Sequence, residues 1–457
     1  MLTFLCALFF VAIILLVRRL RRPNIATQRC VHIVVLGDLG RSPRMCNHAI
    51  EFDKHKFNVH LIGYAESKLG RKISNNQNIQ ISDLKPFPKL NVLPAVLVYG
   101  LKILWQFGTL VFRLSQLPKP DLICVQNPPS IPAIFATFLM AKIRGARLII
   151  DWHNYGYSML ALKHGFKHWI VHLCQRYEFF LGQLANINIC VSNTFAKDLS
   201  VHTIKASVLY DKPTNLFHIP TLEEKHRIFM KMNTQYAYKP FQGRSNNSTR
   251  FTNEDEKNNI SYLQDRPAIL VSSTSWSEDE NFELLFDALK KYASNEMNNL
   301  PSIVCIVTGK GPLKEQFVEQ VERERDQYQH VEFCFPWLDA DDYPLLLGCA
   351  DIGVSLHQSS SGFDLPMKVV DMFAVGVPVC SVQYDCIDEL VKRDQNGIIF
   401  QDANDLCDRL QSLLHGFPDR CLKLNNLKSN LIANRSNENW SKEWESVMKP
   451  LLHSESM

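Results

Sequence analysis

The chain has 457 residues, of which 46% are apolar and 21% charged. That composition excludes global disorder and implies two or three domains with real cores. Fifty Lys and Arg face 46 Asp and Glu, too mild an excess for a nucleic-acid partner, which needs a concentrated basic patch. The 13 cysteines contain no C-x-x-C pair, so neither a disulfide framework nor a structural zinc is expected, and a reducing compartment suits them.

Leu2–Val17 (LTFLCALFFVAIILLV) carries no charge. At 1.5 Å per residue it reaches roughly 24 Å, close to the thin hydrocarbon core of the endoplasmic reticulum membrane. No cation precedes the run, while Arg18, Arg19, Arg21 and Arg22 follow it. That order favours a retained transmembrane anchor over residues 2–20 rather than a cleaved signal peptide. The positive-inside rule then leaves everything after Arg22 in the cytosol. The sequons at Asn246, Asn247, Asn259, Asn434 and Asn439 are expected to stay unmodified.

Next comes an alternation of strands and helices. Val31–Gly37, Phe57–Gly63, Leu122–Val125, Leu148–Asp151, Ile187–Val191 and Ser207–Tyr210 read as strands, with helical stretches at Arg44–His55 and Ile131–Ile143. The pattern implies βαβ units and a parallel sheet over residues 24–220. Val92–Leu114 is almost wholly apolar. It reads as a helix packed in this domain with one face on a bilayer, in preference to a second span. From 221 to 264 periodicity fails and polar residues dominate, the signature of a linker or mobile loop. The alternation restarts at Ala268–Ser272 and continues through Ser302–Thr308, Val331–Phe335, Asp351–Ser355 and Val377–Val382, defining a second domain over 265–435. Asn281–Ala293, Leu313–Arg325 and Met367–Val375 are its helices. Residues 436–457 hold a last amphipathic helix, Asn439–Leu452, expected to return toward the first domain.

The strongest local signal is Ser359–Val379 (SSSGFDLPMKVVDMFAVGVPV), a small-residue loop opening a helix. Free N–H groups and the positive end of a helix dipole suit a diphosphate. Ser360, Ser361, Gly362, Asp364 and Leu365 would line it. Asp371, one turn into the helix, could accept from ribose hydroxyls, and Lys368 could face the phosphates. Upstream, Thr308-Gly309-Lys310-Gly311-Pro312 is a strand-to-helix turn, and Pro336-Trp337-Leu338 and Asp351-Ile352-Gly353-Val354 follow it.

This series resembles the donor half of GT-B nucleotide-sugar glycosyltransferases, whose helix motif K-x-x-E-x-x-A-x-G-x-P-V stands here as K-V-V-D-M-F-A-V-G-V-P-V. Asp371 replaces the usual Glu, keeping the charge and shortening the reach. A second Glu common in the preceding loop is absent, with Ser361 and Asp364 there instead. The Arg/Lys pair often found after the first strand of this half is replaced by SSTSWSEDE (Ser272–Glu280). Phosphate neutralisation would then fall to Lys310, Lys368 and helix termini. Val34–Met45 (VVLGDLGRSPRM), Asp151–Leu160 (DWHNYGYSML), Ser272–Glu280 and Ser359–Met372 together resemble the family of β-mannosyltransferases acting on chitobiosyl-diphosphodolichol (glycosyltransferase family 33), over nearly the whole chain.

The resemblance implies two Rossmann-like doubly wound α/β domains with an interdomain cleft, plus the anchor. It implies transfer of mannose from GDP-mannose to dolichyl-diphosphate-di-N-acetylglucosamine at the cytosolic face of the endoplasmic reticulum. An α-linked donor and a β-linked product mean inversion, so a general base must take the acceptor's proton. His153, at the C-terminal end of a strand, is the first candidate, with Asp38 and Glu278 as rivals. Gly37, Gly40, Arg41 and Arg44 form a turn with donors and cations that suits the acceptor's diphosphate or the leaving GDP. Asp151 or a backbone carbonyl could hold the His153 tautomer, and Asp151 and Tyr155 belong to the same acceptor side.

Asp339-Ala340-Asp341 is a D-x-D of the kind that holds a metal in GT-A enzymes. Here it reads as the cap of the helix running to Cys349. No bound cofactor or metal is expected, although divalent ions could assist in solution. Three alternatives remain: a GT-B enzyme using another nucleotide sugar, a non-catalytic GT-B scaffold recruiting other lipid-linked-oligosaccharide mannosyltransferases, and a dinucleotide-binding oxidoreductase. The last is weakened because Gly37–Gly40 lacks the full G-x-G-x-x-G spacing.

Overall fold

The computed structural model describes residues 28–88, 94–214, 217–277, 280–294, 300–435 and 439–453. The apolar run 2–20 and the candidate base Glu278 lie outside them. The chain divides after Tyr210 and again after Glu443, so that residue 444 onward belongs with the first unit. The first boundary therefore falls at 210–211 rather than at 220.

The first unit runs β1 (Cys30–Asp38), α1 (Pro43–Lys54), β2 (Asn58–Tyr64), α2 (Arg71–Ser74), β3 (Ile79–Asp83), α3 (Ala95–Gln116), β4 (Leu122–Asn127), α4 (Ala133–Arg144), β5 (Arg147–Trp152), α5 (Gly156–His164), α6 (Trp169–Leu184), β6 (Ile187–Cys190), α7 (Asn193–Val201) and β7 (Ala206–Val208). Its seven strands lie in the order β3-β2-β1-β4-β5-β6-β7, all parallel. β1 reads CVHIVVL and is buried along that whole run, as a central strand covered on both faces must be. The strand order reverses between β1 and β4. In open α/β sheets, ligands sit beside such a reversal at the carboxyl ends of the strands.

The helix α3 is the one described helix long and apolar enough to span a bilayer. Its inner side is nevertheless engaged by its own domain. Leu110 and Leu114 are fully buried. Trp105 Nε1 donates to the Lys85 carbonyl at 3.2 Å, Arg113 to the Asp83 carbonyl at 3.0 Å, and Gln106 to Tyr64 Oη at 3.1 Å. A helix held by side-chain hydrogen bonds to strand and loop carbonyls lies on its domain, as the sequence suggests.

The second unit opens with α8 (Leu222–Thr234) and the hairpin β8 (Thr252–Glu254) and β9 (Ile260–Tyr262). This overturns the reading of 221–264 as a linker. Thr221 and Glu224 form a reciprocal capping box that starts α8. Ile228, Phe229 and Met232 recur on one side of that helix and are buried. Phe229, Phe241 and Phe251 pack with ring centroids 4.7–5.9 Å apart in the core beneath the second sheet. The polar flanks hid a short amphipathic helix and two isolated phenylalanines that contact only across many residues.

The sheet continues with β10 (Ala268–Ser273), α9 (Phe282–Ala293), β11 (Ile303–Thr308), α10 (Lys314–Arg323), β12 (Val331–Cys334), α11 (Asp342–Leu347), β13 (Ile352–Ser355), α12 (Met367–Ala374), β14 (Val379–Val382), β15 (Gly397–Phe400), α13 (Ala403–Leu414) and α14 (Leu422–Asn434). The order β12-β11-β10-β13-β14-β15 reverses between β10 and β13. The edge strands β3 and β15 were absent from the sequence reading. Five residues with three polar positions (IQISD) and four apolar residues (GIIF) are too short to show a period. The last helix, α15 (Trp440–His453), sets Trp444 against His48, Phe52 and His55 of the first unit.

Candidate active site

In the first unit the β1–α1 turn and the loop after β5 meet the carboxyl edge of the sheet. Asp151, the penultimate residue of β5, is fully buried. Arg44 grips it twice, Nε to Oδ2 at 2.9 Å and Nη2 to Oδ1 at 3.0 Å, and donates its remaining arm to the Leu209 carbonyl at 2.9 Å. His48 Nε2 lies 3.1 Å and His153 Nε2 2.9 Å from Asp151 Oδ2. Burial favours the neutral acid, but the Arg44 guanidinium and the His153 ring override it and hold the Asp151 carboxyl well below the usual range.

The ring tautomers follow from the partners. Trp444 Nε1–H, which can only donate, points at His48 Nδ1 from 2.9 Å. Nδ1 therefore accepts, Nε2 carries the proton, and it donates to Asp151. Desolvation keeps His48 neutral against the pull of Asp151. His153 likewise donates Nε2–H to the carboxylate, which leaves Nδ1 with a lone pair. The His153 side chain is 23% exposed. A carboxylate that fixes one imidazole nitrogen and leaves the other open is the arrangement a general base requires.

Three sequence-derived assignments change here. Arg44 is 2% exposed and spent on Asp151, so it does not meet a diphosphate, and Asp151 itself has no surface to offer an acceptor. Tyr155 is also fully buried and donates to Asp198 Oδ2 at 2.6 Å; it supports the loop instead of touching a ligand. Arg41 remains as an exposed cation, 3.6 Å from Asp38. A Cβ at Gly37 would meet only Val35, at 3.7 Å, whereas one at Gly40 would strike Ser67 at 2.8 Å. Gly37 thus leaves the sheet edge open, and Gly40 closes the turn. Partial burial works against the charge of Asp38. The Ser67 hydroxyl and the N–H groups of Ser67, Gly40 and Glu66 nevertheless hold its carboxyl below the ordinary range. It serves that turn and is a weak proton acceptor.

Glu178 on α6 escaped the sequence reading. It is fully buried and accepts from Asn127 Nδ2 at 3.0 Å and from the N–H groups of Gly156 and Tyr157 at 2.8 and 2.9 Å. It therefore caps α5 and fixes the loop that carries His153. Desolvation pushes its carboxyl up to about 7. The available signal was that it is the one acid in this helix. His48 and Trp444 had none, because the contact spans most of the chain.

In the second unit, the loops after β10 and β13 flank the strand reversal and are joined by a bridge between Glu280 and His357. Gly309 and Gly311 are glycine of necessity: a Cβ at either would stand 1.8 Å from the carbonyl of Thr274 or Ser275. Two backbones pack directly there. The Lys310 ammonium lies 4.2 Å from the centre of the Trp337 ring. Lys368 pairs with Glu280, a buried acid that also accepts from the Thr274 hydroxyl and from Ser275 N–H. Glu280 was not singled out, and it pairs with one of the two lysines expected to neutralise phosphate.

The loop before α12 departs from expectation. Ser359 Oγ accepts from the N–H groups of Gly362, Phe363 and Asp364 at 2.9, 3.1 and 3.4 Å. Asp364 is held by Ser359 and His357, and Ser361 Oγ accepts from Phe363 N–H at 3.3 Å. The loop's donors are thus turned inward, and the groups left for an anion are those of the first turn of α12, Met367 and Lys368. Asp371 stands out by contrast. Among the described residues its carboxylate makes no hydrogen bond. Desolvation and the negative charge of Asp211 push it up to about 8. A half-buried carboxylate without a donor is a place for ligand hydroxyls.

Asp339 and Asp341 are exposed at the start of α11. The Asp339 carbonyl, not a carboxylate, accepts from Asp342 and Tyr343 N–H at 3.0 and 3.1 Å. Elsewhere, Cys30, His32 and His60 bring donor atoms within 4.8 Å of one another. They lie toward the amino ends of β1 and β2, away from His153. The positive field of Arg144 reaches both Cys30 and His32, which opposes a cation there.

Comparison with known proteins adds three findings. The family model described as glycosyl transferases group 1 matches residues 266–416. The human protein named chitobiosyldiphosphodolichol beta-mannosyltransferase is 43% identical over 445 residues, 95% of this chain and 94% of its own. An Arabidopsis thaliana relative named UDP-glycosyltransferase TURAN is 40% identical, over 92% of this chain and 96% of its own. Among solved structures, Anabaena Alr3699/HepE in complex with UDP and glucose superposes with a TM-score of 0.64 at 15% identity, covering 93% of this chain and all of that one, a likeness of fold.

Proposed function

The chain belongs to the family of chitobiosyldiphosphodolichol β-mannosyltransferases, and from that premise we propose that it moves mannose from GDP-mannose to dolichyl-diphosphate-di-N-acetylglucosamine, forming a β-1,4 linkage with inversion. It is a glycosyltransferase with the GT-B fold. The observation that carries the chemistry is the Asp151–His153 pair. In this reading His153 Nδ1 takes the proton of the acceptor hydroxyl as that oxygen attacks the anomeric carbon. The bond from that carbon to the diphosphate breaks, and GDP leaves with the electron pair. Asp151 stabilises the imidazolium, which returns its proton to solvent. On the second unit, the first turn of α12 and Lys368 face the diphosphate, and Asp371 accepts from the ribose hydroxyls.

The reading needs no bound metal, since Asp339 and Asp341 lie apart from the Ser359–Asp371 segment in sequence and cap α11 through backbone. The chain is membrane-associated in this account, anchored once by residues 2–20 in the endoplasmic reticulum with its catalytic units in the cytosol. Other lipid-linked-oligosaccharide mannosyltransferases are its candidate partners. A UDP-sugar donor is the second reading, favoured only by the name of the Arabidopsis relative. The test is transfer by purified protein to a short-lipid diphosphate-di-N-acetylglucosamine. One β-mannosylated product from GDP-mannose, none from UDP-sugars, and equal yield in EDTA are expected. Transfer from a UDP-sugar would overturn the donor, loss of activity in EDTA the metal-free reading, and no transfer at all the activity itself.

A further inference from the structure

The second unit exposes four large apolar side chains among its described residues, scattered at Tyr262, Trp337, Leu422 and Ile432. The first unit concentrates them. On α6, Val171, Cys174, Glu178, Leu181 and Gly182 are buried. The opposite side presents Trp169, Leu173, Phe180 and Leu184, with Trp169 69% and Phe180 62% exposed. Met159, Leu162 and Phe166 continue this surface on and just after α5. A surface helix normally turns its polar side outward; here the outward side is apolar.

The charges on this hairpin have one sign. Lys163, Lys167 and Arg176 are exposed, His164, His168 and His172 accompany them, and the one acid between 156 and 184 is the buried Glu178. The neighbouring α3 has the same character. Leu97, Leu101, Leu104 and Phe112 are exposed on the side away from Leu110 and Leu114, and residues 95–116 contain Lys102 and Arg113 but no acid. Lys163 Nζ lies 3.4 Å from Tyr99 Oη, which joins the two surfaces.

We propose that the hairpin of α5 and α6, continuous with α3, is a second membrane-docking element that seats on the headgroup boundary of an anionic bilayer independently of the N-terminal anchor. Exposed Trp and Leu enter the acyl boundary, and Lys and Arg reach anionic headgroups; apolar area and charge attraction together set such binding. A protein partner fits less well, since lysine is depleted at interface cores. The hairpin also deepens the proposed function, on which this part rests. α5 begins three residues after His153, and Glu178 of α6 binds the Gly156 and Tyr157 N–H groups. Docking would hold the base's loop at the depth where a lipid-linked diphosphate lies.

The test uses the full chain in nanodiscs, with the triple variant Leu162→Glu, Trp169→Glu, Leu173→Glu. All three sites are exposed, so the fold is expected to persist, and unchanged exchange in the second unit would verify it. In wild type, hydrogen exchange over 156–173 should slow about tenfold or more in phosphatidylserine-containing discs relative to pure phosphatidylcholine discs, and the variant should lose that protection. Transfer to a disc-embedded long-chain acceptor should fall about tenfold in the variant, with transfer to a short-chain soluble acceptor changed less than about twofold. Equal exchange in both discs and in the variant would overturn the proposal. Protection that follows the number of chains per disc would replace the bilayer by a second copy. Equal loss on both acceptors would make the hairpin structural. A wild type inactive on both acceptors would sink the functional reading, while the exchange result would still decide docking.

Discussion

The two units share a doubly wound parallel sheet and treat its carboxyl edge in opposite ways. In the first, one buried aspartate is fully engaged: Arg44 holds both oxygens and two histidines share one of them. In the second, Asp371 meets no donor among the described residues and its carboxyl is pushed up to about 8. The first site is organised without a ligand, with the proposed base oriented and its tautomer fixed. The second carries an uncompensated group whose partners, in the proposed reading, are the hydroxyls of a nucleotide sugar. Preorganisation belongs where a proton moves, and an unsatisfied carboxylate belongs where a ligand must be recognised.

The sharpest way to break this contrast is His153→Ala. Turnover is expected to fall about 10²- to 10⁴-fold, with donor affinity changed less than about twofold. Near-normal turnover would remove the base role from His153. Asp151→Asn should leave Arg44 buried without its counter-charge and cost about 3–5 kcal/mol, seen as a large drop in the thermal midpoint. Asp371→Asn should leave that midpoint unchanged or raise it, because the carboxylate has no partner to lose; a drop as large as that of Asp151→Asn would erase the distinction. Asp371→Ala is expected to weaken GDP-mannose binding about tenfold, the scale of one charge-assisted hydrogen bond; unchanged affinity would remove Asp371 from the site. A smaller effect is Trp444→Phe, which removes the indole N–H and part of a fully buried ring and should cost about 1–3 kcal/mol in denaturant unfolding. A change within error would mean that His48 keeps its tautomer without the last helix.

Much of this was legible from residues alone. Continuous apolar runs such as VHIVVLG announced the central strands, and G-x-G with K-V-V-D marked the second unit's candidate site. The losses have physical causes. Arg44 looks like a surface charge in sequence, because a buried ion pair separated by more than a hundred residues leaves no local mark, whereas the pairing of Asp151 with His153, two residues away, was legible. Tyr155 reads as a site residue beside His153, yet its hydroxyl is consumed by Asp198. Ser359 took the backbone donors that an anion was expected to use. The stretch 221–264 was read by its polar composition, which outweighed the three apolar positions that bury α8.

The most direct test of the division between a prebuilt base and a ligand-completed donor site is proton release on binding GDP-mannose, whose diphosphate does not titrate near neutrality. Asp371 is mostly protonated at pH 7 with its carboxyl near 8, and hydroxyl donors favour the ionised form. Binding should therefore release protons at pH 7, and affinity should rise between pH 6 and pH 8. Titration calorimetry in buffers of different ionisation enthalpy reads this. The account predicts a fractional proton released by wild type and none by Asp371→Asn. Identical heats in all buffers for wild type, with a flat affinity from pH 6 to 8, would contradict it.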